Sequence, residues 1–363
     1  MSIFISSNFA SNSSDNRHSS FTGEPFLLPL CATGLSCISC GLWHNIFIYD
    51  DGTTMALGSN MEFQIGTTEK IYSVPTIINI NNESFQYAYC GEWYTIYLTD
   101  DGRVVICSCE AKNCPVPIQF HCPAIYVSGS SKAAAAIVAD GSFYLFDKDP
   151  RKVPKIFQLN EPVYDLACGD GFIIAITTSG TAYGNGKLNQ KEVTVEKNHK
   201  QFYENSHYNK VNNFDFYNNI SNEKNDASNT IVNENQYSPI LTPKSSQSYN
   251  QNFEVIESLR NIKIDHAFSR YRHAAVISEE GAVYIFGNNC NGQLGRGDTI
   301  SLTNDFEPMF TFRNQDIVSL DIGCDHSVFV TDDGKLYSCG SNLYSQCCLG
   351  LEILQILQSM LNL

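Results

Sequence analysis

The segment CGEWYTIYLTDDG, residues 90–102, recurs along the chain and decides the fold. It returns as CGLWHNIFIYDDG at residues 40–52 and as GCDHSVFVTDDG at residues 323–334. With the weaker copies, the turn glycines stand at 52, 102, 141, 180, 281 and 334, so the intervals are 50, 39, 39, 101 and 53 residues. A unit of about 40–50 residues copied along a chain is typical of stacked repeat architectures, and we therefore predict a repeat protein.

Each unit contains four short β-strands. Two runs rich in Val, Ile, Tyr and Phe are joined by Asp-Gly or Glu-Gly, as in Ala274–Ile277 and Ala282–Phe286, which predicts a hairpin because glycine tolerates the positive φ of a tight turn. A third run, such as Phe85–Tyr89, precedes the Cys-Gly pair, and a fourth follows a proline, which lacks an N–H and suits a strand's start or edge. Four strands repeated radially form the blade of an all-β propeller.

The order of these elements resembles the regulator of chromosome condensation 1 (RCC1) repeat. The best match is Gly281–Asp298, and further matches are Gly58–Gly66 and Gly340–Gln346. The resemblance implies a ring of seven blades that closes by pairing an N-terminal strand with C-terminal strands. We count six recognisable blades plus an incomplete seventh, which is represented at the start of the chain by Ile3–Asn8.

The spacing also predicts the domain organisation. Residues 1–363 are expected to form one RCC1-type β-propeller domain, because one such domain accommodates this length. The long interval contains residues 188–252, which are crowded with Asn, Lys, Glu and Ser and are predicted to be a disordered insertion. Residues 351–363 form an apolar C-terminal stub, interpreted as a short helix, a strand or the start of a further domain.

Composition narrows the class of protein. The net charge of −15 argues against direct nucleic-acid binding, which needs a basic footprint. The chain has no run of about 18 apolar residues and no signal-peptide pattern at its start, so neither a membrane span nor secretion is expected. Its 14 cysteines are then predicted to be reduced thiols in cytoplasm or nucleus. No enzyme motif emerges, and we predict no catalytic residue, no cofactor and a monomer.

Two sets of candidate metal ligands are better explained by packing. Cys37–Cys40 has the spacing of a zinc half-site, but Cys107–Cys109 does not, so no metal site is predicted. His44, His273 and His326 occupy one repeat position, where other units carry Tyr94 and Phe172. Phenylalanine can act neither as a metal ligand nor as a general base, so the ring at this position is predicted to be structural.

The turns between Gly and that ring position are the candidate binding residues. In the family's guanine-nucleotide exchange factor for the GTPase Ran, acidic residues and a histidine here contact the GTPase, and the resemblance extends this role to Asp170, Asp325 and His326, with Glu92 as a weaker fourth. Solvated loop carboxylates are the alternative. Trp43 and Trp93 occupy this region in adjacent units, either as an apolar anchor for a partner or packed against the next blade.

We therefore expect a protein-protein interaction scaffold that binds through this loop face. The first alternative is guanine-nucleotide exchange on a Ran-type or related small GTPase, and the second is the propeller portion of a larger ubiquitin-ligase or BTB-type adaptor. Two departures from the family weaken a transfer of function: Arg270 stands where glycine is expected, and Lys132 where the ring residue is expected.

Overall fold

We describe the fold from a computed structural model of the chain. The structure describes residues 4–5, 26–27, 33–110, 115–131, 133–186, 188, 252–298, 302–312, 316–342 and 347. The predicted insertion at 188–252 and the stub at 351–363 lie almost wholly or wholly outside these residues. The described part is an all-β propeller of six blades, which confirms the predicted fold class.

The strands follow the chain in order, one blade after another. A two-stranded pair comes first, β1 (Phe4–Ile5) with β2 (Phe26–Leu27). Blade 1 contains β3 (Leu35–Cys40), β4 (His44–Tyr49), β5 (Thr54–Ser59) and β6 (Ile71–Ile77); blade 2 contains β7 (Phe85–Cys90), β8 (Tyr94–Thr99), β9 (Val104–Ser108) and β10 (Val116–Ile118); blade 3 contains β11 (Ala124–Gly129), β12 (Ala134–Val138), β13 (Phe143–Phe146) and β14 (Lys155–Phe157).

The remaining blades repeat this plan. Blade 4 contains β15 (Val163–Gly169), β16 (Phe172–Thr177), β17 (Ala182–Gly186) and β18 (Glu254–Val255); blade 5 contains β19 (Ile264–Arg270), β20 (His273–Ser278), β21 (Val283–Asn288) and β22 (Leu302–Pro308); blade 6 contains β23 (Ile317–Ile322), β24 (His326–Thr331) and β25 (Leu336–Gly340). Two 3₁₀ turns, Glu257–Leu259 and Phe310–Phe312, lie beside β18 and β22. Every pairing within a blade is antiparallel, so each blade is a meander.

The innermost strand of every blade has an irregularity at the same place. Its register against the second strand shifts just after its first residue, between Leu35 and Cys37 in blade 1 and between Ile317 and Ser319 in blade 6. The other four blades carry the same shift. Because a bulge bends a strand and increases its twist, this repeated feature adapts each inner strand to the channel that the blades surround.

The core lies between blades. Five clusters of buried apolar side chains join successive blades, from blades 1 and 2 through to blades 5 and 6. The second strands β8 and β16 are buried along their whole length because neighbouring blades cover both of their faces. No single blade buries both of its own faces, so its stability depends on the adjacent blades.

The ends of the ring differ from the expectation for the seventh blade. The predicted N-terminal strand exists as Phe4–Ile5, but it pairs with Phe26–Leu27. Among the described residues, no C-terminal strand pairs with it, and blade 6 has three strands. The strands predicted at prolines have other bounds in two blades. The run predicted at Val74–Ile78 is found at Ile71–Ile77 in blade 1, and the run predicted at Val153–Ile156 is found at Lys155–Phe157 in blade 3.

Candidate interaction face

One face of the propeller carries the turns that join the first and second strands of each blade. These turns, which we call the loop face, include residues 41–43, 91–93, 130–131, 170–171, 271–272 and 323–325. The Asp-Gly hairpins that join second and third strands lie on the opposite face, because consecutive strands of a meander run in opposite directions. All six predicted site residues belong to the loop face or border it.

The ring position under the loop face connects three of the blades to the next one by hydrogen bonds. The His44 Nε2 atom lies 2.7 Å from Thr95 Oγ1, and the Tyr94 hydroxyl donates to the Ser130 carbonyl at 2.6 Å. In the same way, His273 Nε2 lies 3.1 Å from Ser327 Oγ. Burial lowers the pKa of His44 and of His273 to about 3, so both rings are neutral near pH 7. These contacts agree with the predicted structural role.

The two tryptophans form one unit across blades 1 and 2. Their ring centroids lie 5.6 Å apart with 29° between the planes, which is a stacked arrangement, and both side chains are half-buried. Each ring therefore packs on the neighbouring blade, and part of its surface still faces solvent. Offset stacks of this kind add to the energy of burial.

Arg270 crosses the central channel. Its guanidinium, at the end of β19 in blade 5, donates to the carbonyl of Cys90 at the end of β7 in blade 2, and it lies 5.4 Å from the centre of the Tyr89 ring. A cation over an aromatic face is attracted by the ring's quadrupole. The sequence identified Arg270 only as a departure from the expected glycine. In the structure it links two blades that are not neighbours in the chain.

Tyr271 interacts with the turns of three other blades. It has φ of +51°, the one non-glycine positive φ among the described loop-face residues. Its side chain interacts electrostatically with Glu92 and Cys324, and its carbonyl accepts the Asp170 N–H. Burial raises the pKa of Tyr271 and also raises that of Cys324, to about 12. A bulky residue held at positive φ costs free energy, so the surrounding contacts must impose this conformation.

The four predicted charged residues differ in their surroundings. Asp170 is buried and accepts a hydrogen bond from Ser131 at 3.5 Å, while Glu92 is half-buried against Tyr271. Asp325 and His326 are neighbours on blade 6 and are both half-buried. Burial raises the pKa of Asp325 against the opposing charge of Arg272. Burial also lowers the pKa of His326 to about 4.

The described residues of the loop face offer polar and aromatic contacts. Of the cysteines in the two pairs considered from the sequence, Cys37 and Cys107 are buried, whereas Cys40 and Cys109 are exposed. Among the described residues, no helix is long and apolar enough to cross a membrane.

Two family models and several known proteins match parts of this chain. Residues 280–330 match the family described as the Regulator of chromosome condensation (RCC1) repeat, and residues 317–346 match a second family of the same description. The chain is 35% identical over 74 residues to the "Secretion-regulating guanine nucleotide exchange factor" of Bos taurus, covering 20% of this chain and 16% of that protein. It is 37% identical over 82 residues to the "RCC1-like G exchanging factor-like protein" of Mus musculus, covering 22% and 18%. The chain therefore spans less than a fifth of each of these relatives.

Solved structures show the same fold over nearly the whole chain. Yeast RCC1 (Prp20), in its complex with Kap60, superimposes with a TM-score of 0.65 at 13% identity, covering 91% of this chain and 75% of that one. Human WBSCR16 superimposes with a TM-score of 0.64 at 14% identity, covering 90% and 81%. At this identity the likeness concerns the fold alone.

Proposed function

Starting from the premise that this chain belongs to the RCC1-like repeat family, we propose that it is a protein-binding module whose partner docks on the loop face. The observation that carries this proposal is the half-buried Trp43–Trp93 stack beside Glu92, which places an aromatic anchor next to a charged group. Tryptophans that are largely but not fully buried on a rigid scaffold are enriched at interface hot spots. Loops held by a rigid scaffold are also where binding residues concentrate.

The electrostatics of the module favour a basic or mixed-charge partner. The chain carries a net charge of −15, which speeds encounter with a positively charged surface and disfavours nucleic acid. At the face itself, Asp325 interacts with Arg272, and Glu92 and Arg270 both act on Tyr271, so acidic and basic groups lie together. A partner with a complementary mixed pattern fits this surface better than a uniformly charged polymer.

The second candidate function is guanine-nucleotide exchange on a Ran-type or related small GTPase. It is favoured by the names of two relatives, one called a guanine nucleotide exchange factor and the other a G exchanging factor-like protein, and by the position of Asp325 and His326 at the loop face of blade 6. A carboxylate at this face that draws away the GTPase's phosphate-binding lysine or Mg²⁺ would loosen the nucleotide. Asp170 contributes less to this function, because its side chain is buried and occupied by Ser131.

One experiment separates the two functions. The release of labelled GDP from a Ran-type GTPase is measured with the wild-type chain, with Asp325→Ala, and with Trp93→Ala. Acceleration that the Asp325 variant abolishes supports exchange. Binding of the GTPase, or of another purified candidate partner, that needs Trp93 but leaves GDP release unchanged supports a binding module alone. Ile77→Ala, an exposed change at the end of β6 on the side of the Asp-Gly hairpins, is the matched control. Binding that survives Trp93→Ala and Trp43→Ala contradicts the proposed face.

A further inference from the structure

A cluster of three different ligand types lies on the face opposite the loop face. His121 and Cys122 belong to the link between β10 and β11, and Asp140 lies in the hairpin turn between β12 and β13. The Ala139 N–H donates to the Pro123 carbonyl at 2.9 Å, which holds the link against the turn. One nitrogen of His121, the Cys122 sulfur and one Asp140 oxygen all lie within 4.8 Å of one another. We propose that these three side chains bind a divalent transition-metal cation of the zinc type.

The geometry is convergent. The His121 Nε2 atom lies 2.8 Å from Asp140 Oδ2 and 3.5 Å from Cys122 Sγ. In a nucleophilic triad the carboxylate and the nucleophile contact opposite nitrogens of the histidine ring. Here both contact the same nitrogen, so the arrangement does not serve to activate the thiol. It surrounds one point with a nitrogen, a sulfur and an oxygen.

The two separations measured from His121 Nε2 fit a tetrahedral ion with little movement, and Cys122 Sγ and the Asp140 oxygen lie within 4.8 Å of each other. Zinc–nitrogen bonds of about 2.0 Å and zinc–sulfur bonds of about 2.3 Å at a tetrahedral angle separate the two ligand atoms by about 3.5 Å. The observed separation of Nε2 and Sγ is 3.5 Å. The contact between Nε2 and Oδ2 is a hydrogen bond that the ion replaces, and these atoms then move apart by about 0.5 Å to the spacing of two tetrahedral ligands. His121 and Asp140 are exposed, so they can make this movement, and solvent can supply the fourth ligand.

Neighbouring groups already orient two of the ligands. The other ring nitrogen of His121, Nδ1, lies 2.8 Å from the Tyr144 hydroxyl, which fixes the plane of the ring. The second carboxylate oxygen of Asp140 accepts the Ser142 N–H at 2.9 Å and the Ser142 hydroxyl at 2.7 Å, leaving Oδ2 for an ion. Such outer contacts tune metal sites strongly.

A second histidine, His266, also lies beside two carboxylates, but its surroundings do not form a metal site. The His266 Nδ1 atom lies 3.5 Å from Asp165 and its Nε2 lies 3.7 Å from Asp265, so the two carboxylates meet different nitrogens and no thiol takes part. Asp165 also accepts the N–H groups of Leu166 and Ala267. That cluster does not converge on one point, and it therefore serves as the internal control.

Binding at the proposed site has a defined proton balance. The Cys122 thiol loses its proton to solvent as the metal–sulfur bond forms. The Nε2 proton that His121 donates to Asp140 moves, by exchange with solvent, to Nδ1, where the Tyr144 oxygen can accept it, so that the Nε2 lone pair is free for the ion. The Asp140 carboxylate is donated without loss of a proton, and no oxidant or reductant takes part. One proton, that of the thiol, is therefore expected to be released to solvent for each ion bound.

The test is a titration of the full chain with Co²⁺ under reducing conditions. A thiolate-to-cobalt charge-transfer band with the strong visible absorption of a tetrahedral ion is expected, and Zn²⁺ should displace it. Cys122→Ser should remove the thiolate band of this site. Tyr144→Phe should weaken affinity by about 10–100-fold while keeping the band, since it changes only an outer contact.

Two control variants separate this site from the other cysteines and histidines. Cys109→Ser removes an exposed thiol elsewhere, and His266→Gln alters the non-convergent cluster; both should leave the titration unchanged. Because the ligands are at the surface, circular dichroism should show folded protein for every variant. A thiolate band of undiminished size in both Cys122→Ser and His121→Asn would overturn the proposal, as would the absence of a tetrahedral spectrum in the wild-type chain.

Discussion

Acid should destabilise this propeller through the histidines under the loop face, and His44 is the clearest case. Its side chain is 1% exposed, its Nε2 is 2.7 Å from Thr95 Oγ1, and its Nδ1 is buried without a hydrogen-bond partner among the described residues. A second proton on the ring would place an unpaired N–H and a charge in the core. Burial, assisted by the charge of Arg270, therefore lowers the pKa of His44 from 6.5 to about 3.

The linkage between proton binding and unfolding determines how much the free energy of unfolding changes with pH, and in which direction. Between pH 6.5 and about 3 the unfolded chain binds a proton at residue 44 and the folded chain does not, so the free energy of unfolding falls as the pH falls. The slope is about 1.4 kcal/mol per pH unit, and integration from pH 7.5 to pH 5 gives a loss of about 2 kcal/mol. His273, with its pKa also lowered to about 3, should add a similar loss. Two such terms are a large part of a typical domain's stability of about 5–15 kcal/mol.

The assay is urea unfolding at pH 7.5, 6 and 5 for the wild-type chain and for His44→Phe, which uses the residue that Phe172 provides in blade 4. The variant should lose about 2 kcal/mol less than the wild type over this range, whatever its stability at pH 7.5. Thr95→Val is the matched control, since it removes the hydrogen bond and keeps the buried ring. Equal pH dependence of wild type and His44→Phe would refute the reasoning.

Three further predictions concern stability at pH 7.5, each measured by urea unfolding. Arg270→Met removes the hydrogen bond across the channel and should cost about 2 kcal/mol, whereas Arg260→Met, which breaks an exposed ion pair, should cost much less; equal costs would contradict the bridging role. Gly287→Ala should cost several times more than Gly292→Ala, because a Cβ at the first position would lie 2.3 Å from a backbone oxygen and at the second would meet nothing within 4 Å. Asp165→Ala should cost about 2–4 kcal/mol, since it leaves two buried N–H groups of blades 4 and 5 without their carboxylate; a cost below about 1 kcal/mol would show that another acceptor replaces it.

The fold could be predicted well from the sequence because the same local signals recur in successive repeats. The Asp-Gly turns and the order of four β-rich runs are local signals, and both are confirmed in the blades. The shared position of His44, His273 and His326 is a third local signal, and each of them begins the second strand of its blade. The bounds of the outermost strands were less accurate, as at Ile71–Ile77, because edge strands make fewer contacts and their ends depend on the neighbouring blade. The partner of the N-terminal strand could not be predicted from local pattern, since it depends on long-range pairing.

The candidate site was predicted less completely, and Arg270 shows why. Aligned with glycine in other repeats, it counted only as a departure from the family, because nothing in its neighbourhood along the chain indicates the Cys90 carbonyl across the channel. The same limit applies to His121 and Asp140, which are separated by a strand pair and meet only in the folded blade. Pattern reasoning identifies residues that repeat, whereas both of these features are single occurrences.

The contacts that hold neighbouring blades together lie directly beneath the residues proposed to bind a partner. Trp93 is followed by Tyr94, whose hydroxyl bonds to blade 3, and Asp325 is followed by His326. A partner that fixes the loop face would therefore also fix the junctions between blades, and by linkage its binding should raise the free energy of unfolding. It follows that a loss of binding in a loop-face variant identifies a contact residue only when the unfolding free energy of that variant is unchanged. Trp93→Ala should meet this condition less readily than Asp325→Ala, because its ring packs on the adjacent blade.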